Sequence, residues 1–91
     1  MYNVEILMSF NYLKGGSLYF KKQITLPFVP FYGLTITIDD RMIELIKDEC
    51  SIVWNIEKSK FFVYVSWEIS LILNEIITDS ISQKFKNWEQ I

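Results

Sequence analysis

Along the first twelve residues, apolar side chains fall at every second position: Tyr2, Val4, Ile6, Met8, Phe10 and Tyr12. Asn3, Glu5, Ser9 and Asn11 lie between them, with Leu7 as an exception. A period of two is the signature of a strand with one face on a core. Lys14-Gly15-Gly16-Ser17 follows and reads as a turn, since glycine reaches positive φ without strain. Leu18, Phe20, Ile24, Leu26 and Phe28 continue the same parity in a second strand, broken once by Lys22. Pro27 and Pro30 lack the amide a central ladder needs, so this end is an edge or leaves the sheet. Leu34, Ile36 and Ile38 alternate with Thr35 and Thr37 in a short third strand.

From Asp39 the pattern suggests a change of period. Asp39 reads as an N-cap, with Asp40 suited to the positive end of a helix dipole. The expected helix runs to about Glu49 and carries Met42, Ile43 and Ile46 on its apolar side. Ile52, Trp54 and Ile56 then alternate as a fourth strand, and Glu57-Lys58-Ser59-Lys60 turns. Phe61, Val63, Val65, Trp67 and Ile69 define one face of a fifth strand, with Phe62 and Tyr64 on the other. Ser70 reads as the N-cap of a last helix. Its stripe is Leu73, Ile76, Ile77, Ile81, Phe85 and Trp88, at steps of three and four. With no glycine or proline to close it, its last turn is expected to fray.

The order is hairpin, short strand, helix, hairpin, helix. It predicts a single α+β domain over 1–91: a two-layer sandwich, with an antiparallel sheet of four or five strands and two helices on one face. The 91-residue length suits one domain and one core.

Composition then narrows the chemistry. The chain has no histidine, which removes the histidine general base, the catalytic triad and imidazole metal ligation. Cys50 is the single cysteine, so no intrachain disulfide or cysteine-rich zinc site is available. It reads as a structural thiol between helix and strand, with only Lys47 nearby to activate it. Phosphate-loop and dinucleotide patterns do not occur. The expectation is a protein that is not an enzyme and uses no cofactor or metal.

Net charge is −2, which argues against general nucleic-acid binding. The charge is uneven: 1–38 carries +2, 39–57 carries −4 and the remainder balances. The N-terminus does not read as a signal peptide, because Glu5 interrupts an alternating segment with no basic start. No stretch approaches the ~20 apolar residues of a membrane span. Together with the lone cysteine, these features suggest the cytoplasm.

Four features could carry function. The far face of the sheet, away from the helices, would present Leu7, Leu13, Tyr19, Val53, Phe62 and Tyr64, and an apolar patch of that kind marks a partner surface. Scattered apolar residues are also normal on any surface. The connection Pro27–Gly33 holds Phe28, Phe31 and Tyr32. The simpler reading makes Phe28 and Phe31 a plug at the end of the core and leaves Tyr32 exposed as an anchor. Asp40, Glu44 and Asp48, four apart, would stack on one face of the expected helix as an acidic docking strip, or simply as a solvated face. Trp54, Trp67 and Trp88 could line a small-molecule cavity, though core packing explains them as well.

The reading that absorbs most of this is a small cytoplasmic interaction module. It would bind and modulate a larger protein through the apolar sheet face or the acidic helix, and could itself be a homodimer. An inhibitor of the kind phages and plasmids direct at a host nuclease or defence system is one alternative. A small-molecule-binding domain, or a single-strand nucleic-acid binder stacking bases on Phe62 and Tyr64, is another.

Overall fold

The computed structural model describes residues 1–12, 15–69 and 75–91. Among them are seven strands and one short helix: β1 Tyr2–Tyr12, β2 Ser17–Leu26, β3 Thr35–Ile38, β4 Arg41–Glu44, β5 Cys50–Asn55, β6 Lys60–Ile69, α1 Glu75–Lys84 and β7 Glu89–Gln90. The protein is therefore mostly β, and the expected α+β sandwich with two helices is corrected.

The segment after Asp39 accounts for much of the difference. It is not a helix; β3 and β4 form a tight hairpin with Ile38 opposite Arg41. Asp39 and Asp40 sit at its tip with φ of 51° and 63°. Positive φ at both turn positions is the geometry whose twist matches a two-residue hairpin, and Asp tolerates it better than most residues. The apolar residues admit two periods here. Met42, Ile43 and Ile46 fit a helix, whereas Ile43 and Leu45 fit a strand, and burial decides. Ile43 and Leu45 are buried, while Met42 is 73% exposed. The hairpin extends beyond β4, with Leu45 N–H donating to Leu34 C=O and Gly33 N–H to Leu45 C=O.

The main sheet has the order β5-β6-β1-β2-β7. It is mixed, not antiparallel, because β1 and β6 run parallel from Val4 opposite Phe61 to Tyr12 opposite Ile69. A parallel neighbour requires a crossover. The chain makes it by leaving β2, passing through residues 27–46 and returning at β5 on the opposite edge.

β1 lies at the centre, and its even residues form the spine of the core. Val4, Ile6, Met8, Phe10 and Tyr12 cluster with Phe20, Val63 and Val65 from the neighbouring strands. Ile36, Ile38, Ile43 and Leu45 of the hairpin segment complete this side, together with Phe85 and Trp88 after the sheet. Fully burying each aliphatic or aromatic side chain contributes about 1.5–3 kcal/mol. Phe85 is central to the aromatic part: it stacks on Phe20 at 5.0 Å and meets Phe10 and Trp88 edge-on at 5.3 Å.

Lys22, the one break in the β2 pattern, has a specific place. It reaches Asp39 at the hairpin tip at 3.3 Å and donates to Asn87 C=O at 3.2 Å. The C-terminus, expected to fray, instead pairs. Glu89 and Gln90 lie opposite Lys21 and Phe20, and Ile91 N–H donates to Tyr19 C=O at 2.9 Å. The expected cap Ser70 and stripe residue Leu73 lie outside the described residues.

Candidate far-face interaction surface

The odd residues of β1 and β2, the even residues of β6 and the odd residues of β5 turn away from the hairpin and helix. The registers set them in rows. Val53 lies opposite Phe62, Phe62 beside Glu5, and Glu5 opposite Gln23. In the next row Ser51, Tyr64, Leu7 and Lys21 are neighbours. Ser66, Ser9 and Tyr19 follow. Val53, Phe62, Tyr64 and Leu7 therefore adjoin one another, and Tyr19 is set one row further along. Leu13 lies outside the described residues.

Exposure differs sharply within this group. Tyr64, Val53 and Tyr19 are about half exposed at 46%, 46% and 47%, whereas Phe62 is 8% exposed. Its neighbours account for this. Phe62 stacks against Tyr64 with centroids 6.1 Å apart and planes inclined by 17°. Lys60 and Lys58 place their ammonium groups 5.1 Å and 5.5 Å from its ring centroid. The negative face of an aromatic ring attracts such cations.

Glu5 is the unexpected member of this surface. It is buried, and Oε1 accepts from Lys60 Nζ and from Gln23 Nε2, each at 3.3 Å. A carboxylate withdrawn from water needs such partners. At the other end a polar network takes over. Asn11 accepts from the Ser9 and Ser17 hydroxyls at 3.1 Å and 2.8 Å and donates to Ser66 Oγ at 2.8 Å. The surface thus grades from an aromatic and aliphatic patch through one ion pair to a hydroxyl-rich strip. Sequence periodicity puts Glu5 on this face, but only the β1–β6 pairing reveals its contact with Lys60.

The other expected sites fare differently. Phe28 and Phe31 do not plug the core: they are 43% and 52% exposed, and Pro30 is the buried residue of that connection. Tyr32 is exposed too, and its hydroxyl accepts from Ile52 N–H at 3.4 Å, on the outer edge of β5. Asp40, Glu44 and Asp48 lack the helix that would align them; they occupy a hairpin tip, the end of β4 and a turn.

Among the described residues the three tryptophans pack in separate places. Trp54 packs on Phe61 at 4.8 Å near the sheet edge, Trp67 meets Phe10, and Trp88 meets Phe85. A cavity of about 200 Å³ lies among Phe10, Arg41, Ile43, Trp67 and Phe85, and an open depression of about 470 Å³ lies among Asp48, Glu49, Ser66 and Trp67. Burial, and then the charge of Glu49, push the Cys50 thiol above its ordinary range, away from the thiolate a nucleophile needs. Among the described residues no group of three His, Cys, Asp or Glu side chains could hold a metal ion, and no helix is long and apolar enough to cross a membrane.

Comparison with protein-family models, curated proteins and solved structures finds no match for this chain.

Proposed function

We propose that the protein is a small non-enzymatic interaction module of the cytoplasm, which binds and modulates a larger protein through the far face of its sheet. The carrying observation is the contiguity of Val53, Phe62, Tyr64 and Leu7 on a face with no covering layer among the described residues. Aromatic residues held rigidly by a sheet lose little entropy on binding, which is why they dominate interface energetics. Lys58 and Lys60 beside the patch and the Asn11 hydroxyl network would supply its polar rim. No cofactor enters this reading.

The test is capture of the partner from the source cell by the wild-type protein and by Tyr64→Ser. Phe62 is left alone, because at 8% exposure it helps hold the face together. The expected result is an unchanged melting temperature with loss of the captured partner. Retention of the same partner by Tyr64→Ser would overturn the reading.

The Phe62–Tyr64 stack flanked by Lys58 and Lys60 also favours a second reading, binding of single-stranded nucleic acid. Lys60 is already paired with Glu5, leaving little free positive charge for phosphates. Fluorescence titration with a short oligonucleotide separates the two readings: a salt-sensitive quench supports the second, and no change removes it.

A further inference from the structure

The β3–β4 hairpin turns Ile36, Ile38 and Ile43 into the core, and its register sets Arg41 opposite Ile38 on that same inward face. A cation therefore stands where the hairpin pattern calls for an apolar side chain. Arg41 Nε donates to Lys84 C=O at 3.2 Å, at the C-terminal end of α1. That bond satisfies a carbonyl the helix leaves open. The guanidinium carbon lies 5.2 Å from the Phe85 ring centroid. These two contacts fix the guanidinium in place and use one of its five N–H donors. Among the described residues its side chain makes no other hydrogen bond and no salt bridge. Arg41 borders the cavity of about 200 Å³ between the hairpin, the sheet and α1. Phe10, Ile43 and Phe85, all buried, line it, with Trp67 beside Phe10 at 5.3 Å. Lys84, exposed in the last turn of α1, is a second cation at its border. Among the described residues no carboxylate borders the cavity. In a chain of net charge −2, an apolar cavity thus carries two positive charges and no negative side chain. The negative end of the helix dipole, about half a charge, offsets only part of them.

We propose that this cavity binds a small aromatic carboxylate, with its ring among Phe10, Trp67 and Phe85 and its carboxylate on the Arg41 and Lys84 cations. The volume suits a single ring, since an apolar cavity of about 150 Å³ accepts benzene. Aromatic side chains receive such a ring edge-on or offset. The guanidinium presents parallel N–H donors that match the two oxygens of a carboxylate, and Lys84 adds a point charge. Burial of the ring supplies affinity, and the cations select the acid over its neutral analogues. Phe10 and Trp67 belong to the core side of the sheet, so a bound ligand leaves Val53 and Tyr64 on the far face open.

Benzoate titrated into the full chain, followed by NMR at the isoleucine methyl groups, tests this. Saturable shifts at Ile43 and Ile81, which border the cavity, are expected with a Kd below about 1 mM, while Ile52 and Ile56 stay unmoved. Benzyl alcohol keeps the ring and drops the charge, and should bind about tenfold more weakly. Arg41→Gln should weaken benzoate about tenfold and leave benzyl alcohol unchanged. Lys84→Gln changes an exposed residue and leaves the fold intact, so it should weaken benzoate in the same direction even if Arg41→Gln unfolds. The absence of any saturable shift up to about 10 mM benzoate overturns the proposal. So do shifts centred on Ile52 and Ile56, equal binding of benzyl alcohol, or undiminished benzoate binding by the folded variants.

Discussion

Glu5 and Lys60, 55 residues apart in sequence, meet at 3.3 Å on the far face of the sheet, with both side chains largely buried. The parallel pairing of β1 with β6 brings them together, and Gln23 completes the site from β2. Breaking a buried pair on one side costs more than removing both partners, because the remaining charge keeps its desolvation penalty. Lys60→Met should therefore destabilise the protein by about 2–4 kcal/mol. Lys60→Met with Glu5→Gln should recover much of that loss. Urea denaturation of the four proteins in the cycle measures it. Equal and additive losses would mean the pair is screened by water.

The hairpin tip gives a prediction whose sign distinguishes the observed fold from a helix. Asp40 has φ of 63°, where any Cβ carries strain. Asp40→Gly should stabilise the protein by up to about 1 kcal/mol, since glycine takes left-handed geometry freely. The same change near the start of a helix would not help, and within one it would cost about 1 kcal/mol. A rise in the thermal midpoint supports the hairpin. A fall would favour the helix.

Tyr12 is 5% exposed, and its hydroxyl has no hydrogen-bond partner among the described residues. Leaving a buried polar group unsatisfied costs about 1–3 kcal/mol. Tyr12→Phe removes that group while keeping the ring in the core, so it should be neutral or stabilising. A loss above about 1 kcal/mol in denaturant titration would show that the hydroxyl has a partner after all.

Alkaline pH tests the same residue together with Cys50. Burial raises both the Tyr12 phenol and the Cys50 thiol above their ordinary values. The folded protein then holds these protons more tightly than the unfolded chain does. The stability this provides is fully present below the ordinary values of 9.0 for the thiol and 10.0 for the phenol, and is lost as pH rises beyond them through the raised values of the folded state. Melting temperature should fall across that range, and the fall should shrink in Tyr12→Phe with Cys50→Ala. An identical pH profile in that double variant would rule out both groups.

The core aromatic cluster sets the scale for these effects. Phe85 is 4% exposed and contacts Phe10, Phe20 and Trp88, with the Arg41 guanidinium 5.2 Å from its ring centroid. Phe85→Ala should cost about 3–5 kcal/mol, more than Tyr64→Ser on the half-exposed part of the far face. Chemical denaturation checks this ordering.

What could be read from the residues, and what could not, follows from the range of each interaction. The β1, β2, β5 and β6 strands were visible because alternation is local, and β1 and β6 bury the parity it marked. The segment 39–49 is ambiguous in sequence because Ile43 serves either period, and only the burial of Leu45, which falls off the helical stripe, decides for the strand. β7 has no sequence signature because two residues carry no periodicity; only their pairing with β2 defines them. The far-face residues Val53, Phe62, Tyr64 and Leu7 followed from parity alone. Their adjacency did not, because it depends on β1 lying beside β6. Glu5–Lys60, and the Tyr32 hydroxyl on the Ile52 amide, are tertiary meetings with no local signature.

The parallel seam between β1 and β6 also governs the order in which the molecule can be completed. On a ribosome, β1 and β2 emerge before β6 and can pair at once across a short turn. The other flank of β1 has no strand to bind until synthesis has passed residue 69. Until then the nascent chain offers the central strand of its future sheet as an open edge. Closing that edge takes a long loop, the kind of non-local step that slows folding. With this wiring the core is finished only once β6 and the residues that follow it have left the exit tunnel, and until then a chaperone could bind β1 as readily as β6 can.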